Sequence, residues 1–184
     1  MKIVIDLTSL ADNFTGIERF SSSITYEMLK KHPENEYVLF FKREIFPQFE
    51  EFKEQSNVTC KVLREYKKII FLQFILLNEV RKVKADYYLF LAFPTPIFLF
   101  KKNMITTIHD IGCWDCPEAM EWFSKLYFRL SYRKDVLFDK HIFTVSDFSK
   151  NRICEKLKVN PAKVSVIFNG ISEVFRDYIP NEEK

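Results

Sequence analysis

Residues that could bind or transform a ligand recur directly after short apolar segments of this sequence. They are Gly16, Glu18, Arg19, His109, Asp110, Ser146, Asn169 and Gly170. Histidine exchanges protons near neutral pH, glycine lets backbone amides approach a ligand closely, and arginine binds phosphate or carboxylate. The set therefore suits the binding and orientation of a polar or anionic substrate.

Common cofactor and metal motifs are absent from the sequence. The glycines are Gly16, Gly112 and Gly170, too widely separated for a P-loop or a G-x-G-x-x-G fingerprint. Cys113 and Cys116 have C-x-x-C spacing, but no second pair completes a zinc site, and we expect thiols without a function. Besides His109 there are only His32 and His141, which fall at a helix end and at the start of a strand. We therefore expect neither a metal nor a cofactor.

Composition limits the class of protein. The chain has 184 residues, 47% hydrophobic and 29% charged, which suits one globular domain. A net charge of +3 is too small to indicate nucleic-acid binding. The first residues do not resemble a signal peptide, and the longest apolar run, residues 69–77, is far shorter than the roughly 20 residues of a membrane span. We expect a cytoplasmic protein with free thiols.

Short apolar runs alternate with amphipathic stretches, as in a parallel sheet wound with helices. The predicted strands are residues 2–6, 36–41, 57–62, 86–93, 104–110, 141–145 and 163–168. Helices are predicted to begin near Gly16 and to cover about 67–83, 117–137 and 146–158. The apolar face of the long helix is expected to be Trp122, Phe123, Leu126, Tyr127 and Leu130. The predicted fold is a Rossmann-like, doubly wound, mainly parallel sheet of about seven strands with helices on both faces.

Ligands of open α/β sheets bind beyond the carboxyl ends of the strands, where the strand order reverses. Each residue placed there has a structural alternative. Ser146 is the expected N-cap of the last helix, and Gly170 after Asn169 is a common turn dipeptide. Gly16 opens a helix, where its amide could face an anion. His109 could be a structural histidine beside Asp110, or a functional one.

The segment 67–84 has two interpretations. Its basic residues, Lys67, Lys68, Arg81, Lys82 and Lys84, bracket an apolar middle. This pattern fits a crossover helix packed on the sheet, with charged ends in solvent. It also fits a basic amphipathic helix that lies on an anionic membrane surface.

Four segments together resemble the N-terminal half of a family 4 glycosyltransferase with the GT-B fold. They are TGIERF after the first strand, TTIHD followed by Pro117-Glu118, then FTVSDFSK, and finally KVSVIFNGI. The resemblance covers residues 2–175 and implies retaining, metal-independent transfer of a sugar from a nucleotide donor. By position it implies that Gly16 lies near the donor diphosphate and that His109 is catalytic. It further implies that Glu18, Arg19, Asp110, Ser146, Asn169 and Gly170 bind substrate.

Such enzymes have two Rossmann-like domains, and the resemblance assigns residues 1–175 to the acceptor-side one. Residues 176–184 would begin a linker or form a polar tail, and a C-terminal donor-binding domain would act in cis or in trans. The expected function is the acceptor-binding half of a glycosyltransferase of bacterial surface glycan synthesis, with little activity alone. Its partners would be a nucleotide-sugar donor and a glycan or lipid-linked acceptor. The alternative is a non-catalytic binding module, or a scaffold peripheral to the inner face of the cell membrane.

Overall fold

Seven parallel strands form one sheet in a computed structural model that describes residues 1–10, 15–66 and 70–170. They are β1 (Lys2–Asp6), β2 (Glu36–Lys42), β3 (Val58–Leu63), β4 (Tyr87–Phe90), β5 (Met104–Thr107), β6 (His141–Thr144) and β7 (Val164–Val166). Their order in the sheet is β3-β2-β1-β4-β5-β6-β7, and every neighbouring pair is parallel. The predicted Rossmann-like fold is confirmed.

Helices connect these strands. They are α1 (Gly16–Lys31), α2 (Leu77–Lys82), α3 (Gly112–Asp115), α4 (Trp122–Phe138) and α5 (Asp147–Leu157). A π-helical segment, Phe71–Leu76, leads into α2, and short 3₁₀ turns occupy Pro47–Phe52, Pro117–Ala119 and Pro161–Lys163. No helix in the described part of the chain is long and apolar enough to cross a membrane.

The sheet is covered on both faces because successive strand residues point to opposite sides. On one face, Ile5 and Leu39 pack in a cluster with Phe20 of α1. On the other face, Val4 and Phe40 pack with Leu76 and the residues around it. The order of the strands reverses between β1 and β4, so a ligand site is expected beyond the carboxyl ends of these two strands and their neighbours.

Three predicted strands and one predicted helix need correction. The strands β4, β5 and β7 are shorter than the apolar runs that predicted them. The predicted helix over 117–137 is interrupted, because Pro117 opens a 3₁₀ turn and Met120 then adopts an extended conformation before α4 begins at Trp122. Of the predicted helix over 67–83, residues 67–69 lie outside the described residues.

The predicted apolar face of α4 is also wrong in its direction for four of its five residues, whereas Tyr127 is partly buried and packs against the cluster around Leu76. Trp122, Phe123, Leu126 and Leu130 are exposed. The side of α4 that packs inward instead carries polar residues, among them Ser131, Lys134 and Asp135, beside Tyr132 and Val136.

A buried polar network explains why this side of α4 faces inward. Lys134 Nζ donates to Asp135 Oδ1 at 2.9 Å and to Thr95 Oγ1, and Thr95 Oγ1 donates to the same carboxylate. Asp139 Oδ1 lies 3.8 Å from Lys134 Nζ, and its Oδ2 accepts from Thr106 of β5. Buried polar groups are stable only when they are paired, so these bonds fix α4 against β5 and the loop after β4.

We predict that this network makes stability depend on pH through Asp139. Burial and the neighbouring Asp135 raise its pKa to about 7, whereas an unfolded aspartate has a pKa of about 3.9. Between these two values the folded chain keeps a proton that the unfolded chain releases, so the contribution of Asp139 to stability falls as pH rises through this window. The Asp139→Asn protein should therefore lose less stability than the wild type between about pH 4.5 and about pH 7.5.

Urea unfolding at both pH values measures this difference. Glu27→Gln, which breaks the exposed pair of Glu27 with Lys31, is the control and should follow the wild type. Equal pH dependence of Asp139→Asn and the wild type would contradict the prediction.

Candidate functional site

The sequence-predicted residues lie at the carboxyl edge of the sheet, beyond the ends of four strands. Gly16, Glu18 and Arg19 are in the first turn of α1, which follows β1. His109 and Asp110 follow β5, Ser146 follows β6, and Asn169 and Gly170 follow β7. The strand order places β1 and β5 on either side of β4, at the point of reversal.

His109 joins two of these strand ends and α1. Its Nε2 lies 2.9 Å from the carbonyl oxygen of Leu91, just after β4. Its ring packs edge-on against Phe20 of α1, with 5.0 Å between the ring centroids. The end of β4, the end of β5 and the start of α1 therefore meet at this imidazole.

The surroundings of His109 also determine its protonation. Burial lowers the pKa of the imidazole, and the Leu91 carbonyl, Asp110 and Glu18 oppose that shift only in part. His109 is thus neutral near pH 7. Because a carbonyl oxygen can only accept, the bond to Leu91 places the proton on Nε2 and leaves Nδ1 with the lone pair.

The first turn of α1 is held by a capping box. Ile17 N donates to Thr15 Oγ1 at 3.3 Å, and Thr15 N donates to Glu18 Oε2 at 3.1 Å. The carboxylate of Glu18 is therefore used to build the turn, while Arg19 is exposed. A Cβ placed on Gly16 would have no described atom within 4 Å, so nothing in the described part of the chain crowds this position.

Asp110 organises the loop after His109. Its Oδ1 accepts from Gly112 N at 2.7 Å and so initiates α3. A Cβ on Gly112 would lie 3.1 Å from that same oxygen, which accounts for a glycine at this position.

The last two strands bring Ser146, Asn169 and Gly170 to the same edge. Ser146 is the N-cap of α5, as predicted, since its Oγ accepts from Ser149 N at 3.1 Å. Asn169 and Gly170 are exposed, and a Cβ on Gly170 would have no neighbour within 4 Å. No glycine of the described residues has a positive φ, so neither Gly16 nor Gly170 is required by a left-handed turn.

We predict that Ser146→Ala lowers the free energy of unfolding by about 1 kcal/mol, because the helix loses its cap. Ser146→Asp should restore the cap, since aspartate is an equally good N-cap residue. Chemical denaturation of the three proteins measures both effects. A neutral Ser146→Ala, or an equal loss in Ser146→Asp, would contradict the cap assignment.

Two further polar features of this edge were not identified from the sequence. Asp6 ends β1 and is buried, and its Oδ1 accepts from the backbone N (3.0 Å) and the Oγ1 (2.7 Å) of Thr8. Burial raises the pKa of Asp6. An acidic residue closing an apolar strand was the signal that could have identified it.

The second feature is a cavity of about 140 Å³ beyond β1 and β2. It is lined by Thr8, Ser9, Leu10, Phe41, Lys42, Arg43, Glu44 and Phe46. Ser9 Oγ is buried without a hydrogen-bond partner. Lys42 and Arg43 both pair with Glu65.

The four cysteines are free thiols in the described part of the chain. No group of three metal-binding side chains comes together there. Cys113 is buried, which raises the pKa of its thiol to about 11 and keeps it protonated.

Comparison with known proteins identifies the fold. The Anabaena protein HepE, solved in complex with UDP and glucose, superposes over 98% of this chain and 47% of its own, with a TM-score of 0.60 and 14% identity. A glycosyltransferase from Rickettsia africae superposes over 97% of this chain and 46% of its own, with a TM-score of 0.50 and 14% identity. At these identities the likeness concerns the fold alone.

Sequence comparison identifies the family. The chain is 34% identical over 83 residues to the O-antigen chain mannosyltransferase RfbU of Salmonella typhimurium, a match that covers 45% of this chain and 22% of RfbU. The chain thus spans less than half the length of these relatives. The family model Glycosyltransferase Family 4 matches residues 29–174. This chain therefore belongs to glycosyltransferase family 4.

Proposed function

We propose that this chain is the acceptor-binding half of a retaining, metal-independent glycosyltransferase that takes its sugar from a nucleotide-sugar donor. The observation that carries the proposal is the neutral His109, which lies at the point of strand reversal beside the N-terminus of α1. Residues 1–175 would form this half, and it would have little or no activity alone.

His109 is the proposed catalytic residue. With its Nε2 proton bound to the Leu91 carbonyl, Nδ1 can accept a hydrogen bond from a hydroxyl of the transferred sugar. Because the His109 imidazole is neutral and is held between the ends of β4 and β5 and the start of α1, it can orient the sugar without gaining or losing a proton. Orientation of this kind contributes much of the rate enhancement in reactions that need no protein nucleophile.

The N-terminus of α1 is the proposed contact for the departing diphosphate. The helix has 16 residues, and its dipole favours a negative charge at this end, where the Thr15 side chain also accepts from the backbone amides of Ile17 and Glu18. We propose that the phosphate approaches the backbone at Gly16, where a Cβ would meet no described atom within 4 Å. Backbone amides of this kind, together with cationic groups of the donor half, would stabilise the leaving group in place of a metal.

The remaining substrate contacts are proposed to surround His109 and the N-terminus of α1. Arg19 is exposed beside Gly16 and would face phosphate or acceptor, whereas Glu18 and Asp110 would act through the turns that they build. Ser146, Asn169 and Gly170 would line the floor of a cleft. The opposite wall would be a donor-binding domain, supplied as a continuation of this chain or as a separate polypeptide.

The relatives suggest the setting. RfbU is an O-antigen chain mannosyltransferase, and HepE was solved with UDP and glucose. By analogy, we propose a nucleotide-sugar donor and a glycan or lipid-linked acceptor of bacterial surface glycan synthesis, at the cytoplasmic side of the membrane.

We predict that Gly16→Ala lowers sugar transfer by roughly tenfold or more, which corresponds to about 1.4 kcal/mol at the transition state. The added methyl group would stand between the phosphate and the helix amides. Because nothing in the described structure crowds this position, stability should not fall. The measurement is sugar transfer by the chain joined to a donor half, with Ser23→Ala, on the exposed side of the same helix, as the control.

The same assay tests the reaction type. The proton NMR spectrum of the product should show the anomeric configuration of the donor, and transfer should persist in excess EDTA. Inversion at the anomeric carbon, or complete loss of transfer in EDTA, would contradict the retaining, metal-independent proposal.

The second candidate is a non-catalytic, membrane-associated scaffolding module that uses residues 67–84. Ile70 and Phe74 support it, because their side chains are 39% and 61% exposed in the segment that leads into α2. Under this alternative, His109→Ala would leave the biological activity intact, and Phe74→Ser would remove binding to anionic vesicles.

A further inference from the structure

The cavity of about 140 Å³ beyond β1 and β2 lies at the same edge of the sheet as the proposed sugar-transfer site. Residues 8–10, which follow β1, and residues 41–44 and 46, at and just after the end of β2, line it. We call this space the β1–β2 cavity. A protein cavity of about 150 Å³ can hold a six-membered ring such as benzene. The β1–β2 cavity therefore has room for a ligand group of about that size.

The charges around the β1–β2 cavity match a ligand without net charge. Lys42 and Arg43 line the cavity, but both pair with Glu65. The hydrogen bonds from Arg43 and Lys42 lower the pKa of Glu65 to about 2, so its carboxylate stays charged. Glu44 also lines the cavity and is exposed, and its carboxylate has no hydrogen bond or ion pair within the described part of the chain. The four charges sum to zero, and the carboxylate that is left for a ligand would repel an anion.

A hydroxyl beside the β1–β2 cavity lacks a partner. Ser9 lines the cavity, and its Oγ is buried with no hydrogen-bond partner among the described residues. A buried polar group without a partner is costly, and native structures contain few of them. A ligand in the cavity would supply the missing partner, and the staggered χ1 positions of serine allow the hydroxyl to turn toward it.

The backbone beside the cavity is strained. Arg43 has a φ of 72°, in the left-handed region that residues other than glycine rarely adopt. The amide of Glu44 donates to the carbonyl oxygen of Lys42 at 3.0 Å, and with this φ the three residues form a γ-turn of the rare, strained kind. Strained backbone is concentrated at ligand sites, where it positions a contact. Here the turn carries Glu44, so it fixes the start of the segment that presents this carboxylate.

The β1–β2 cavity lies beside the proposed sugar-transfer site and does not coincide with it. His109 follows β5, and β1 is separated from β5 by β4. At about 4.8 Å between neighbouring strands, the gap between β1 and β2 is about 10–15 Å from β5. That distance exceeds the width of one sugar ring. A ring in the cavity is therefore a neighbour of the reacting sugar and not the reacting sugar itself.

We propose that the β1–β2 cavity binds an uncharged sugar unit of the acceptor, adjacent to the unit that receives the transferred sugar. The Glu44 carboxylate accepts hydrogen bonds from the hydroxyls of this unit, the Ser9 hydroxyl bonds to another, and the half-buried ring of Phe46 packs against its C–H groups. The acceptor class is then a glycan of two or more sugar units. The inference rests on the proposed function for the role of acceptor, whereas sugar binding in the cavity is measurable without transfer.

Ligand-observed NMR of the 184-residue chain tests sugar binding directly. Methyl α-glucopyranoside and methyl α-mannopyranoside are the neutral probes, and methyl α-glucuronide differs from the glucoside only by its carboxylate at C6. We expect saturation transfer from the protein to at least one neutral probe. The glucuronide should bind more weakly than the glucoside, because its carboxylate meets Glu44.

Two substitutions locate the bound sugar. Glu44→Ala should weaken binding of the better neutral probe by about tenfold, the equivalent of one hydrogen bond to a charged group. Ser9→Ala should weaken it by roughly fivefold without lowering the unfolding temperature, since the hydroxyl has no partner in the free chain. Glu54→Ala is the control, because Glu54 is also exposed but precedes β3 at the opposite edge of the sheet. It should bind as the wild type does.

Sugar transfer by the chain joined to a donor half tests the role of the cavity in the reaction. The wild type should use a disaccharide acceptor better than the corresponding monosaccharide. Glu44→Ala should raise the KM for the disaccharide by about tenfold at unchanged kcat, and so remove this preference. Glu54→Ala should retain it.

Three results would overturn the inference. One is that neither neutral probe binds to the wild-type chain. Another is tighter binding of the glucuronide than of the glucoside, which would assign the cavity to an anion. The third is loss of sugar binding in His109→Ala with normal binding in Ser9→Ala and Glu44→Ala, which would place the bound sugar at the transfer site. Absence of transfer by the joined halves would count against the proposed function and leave the binding results standing, so the two proposals fail separately.

Discussion

His109→Ala is expected to lower the kcat of sugar transfer by about a hundredfold to a thousandfold, the usual effect of removing one positioned polar group from a transition state. The side chain joins the end of β4, the end of β5 and the start of α1, so its loss removes an acceptor for the sugar and loosens the contact with Phe20. The measurement is steady-state transfer by the chain joined to a donor half. Binding of the nucleotide should change little, because its proposed contacts, the N-terminus of α1 and the donor half, do not include the imidazole of His109.

His141→Ala is the matched control. His141 is also a partly buried histidine, but it begins β6 at the opposite edge of the sheet, where its Nε2 lies 2.8 Å from Ser165 Oγ. Its replacement should leave kcat unchanged. Equal losses in the two variants, or full activity after His109→Ala, would remove His109 from the catalytic site.

Asp135→Ala is expected to produce the largest loss of stability, about 3–5 kcal/mol, because it leaves the buried Lys134 without its main partner. Asp135 is fully buried and accepts from both Lys134 and Thr95. Since a typical domain has only about 5–15 kcal/mol of stability, the variant should unfold at a much lower urea concentration. Equilibrium urea unfolding measures the difference.

Glu27→Ala provides the comparison for an ion pair in solvent. Glu27 pairs with Lys31 at 2.9 Å, and both side chains are more than half exposed. Its replacement should change stability by less than about 1 kcal/mol. If Asp135→Ala were as mild as Glu27→Ala, the network would not be what holds α4 on the sheet.

Local sequence patterns were sufficient to predict the sheet. Each strand is an apolar run between helices or turns, and the parallel orientation of the strands follows because such runs alternate with amphipathic stretches. The same patterns predicted which residues reach the carboxyl edge, and Ser146 was correctly predicted as a cap. These features depend on neighbours in sequence.

The features that could not be predicted depend on contacts between distant residues. The bond from His109 to Leu91 spans 18 positions, and that from Thr95 to Asp135 spans 40. The second of these explains the error in α4: periodicity placed its apolar residues inward, but the Lys134–Asp135 network requires burial of the polar side. A hydrophobic pattern cannot reveal that a helix buries its charges, since it assumes that charged residues face solvent.

The most direct test of the central claim is a comparison of sugar transfer by the 184-residue chain alone and by the same chain joined to a donor-binding half. Radiolabelled nucleotide sugars would serve as donors, and a lipid extract of the source cells as acceptor. The account predicts negligible transfer by the chain alone, transfer by the combined halves, and its loss in the combined His109→Ala protein. Robust transfer by the chain alone, or combined halves that remain fully active after His109→Ala, would contradict it.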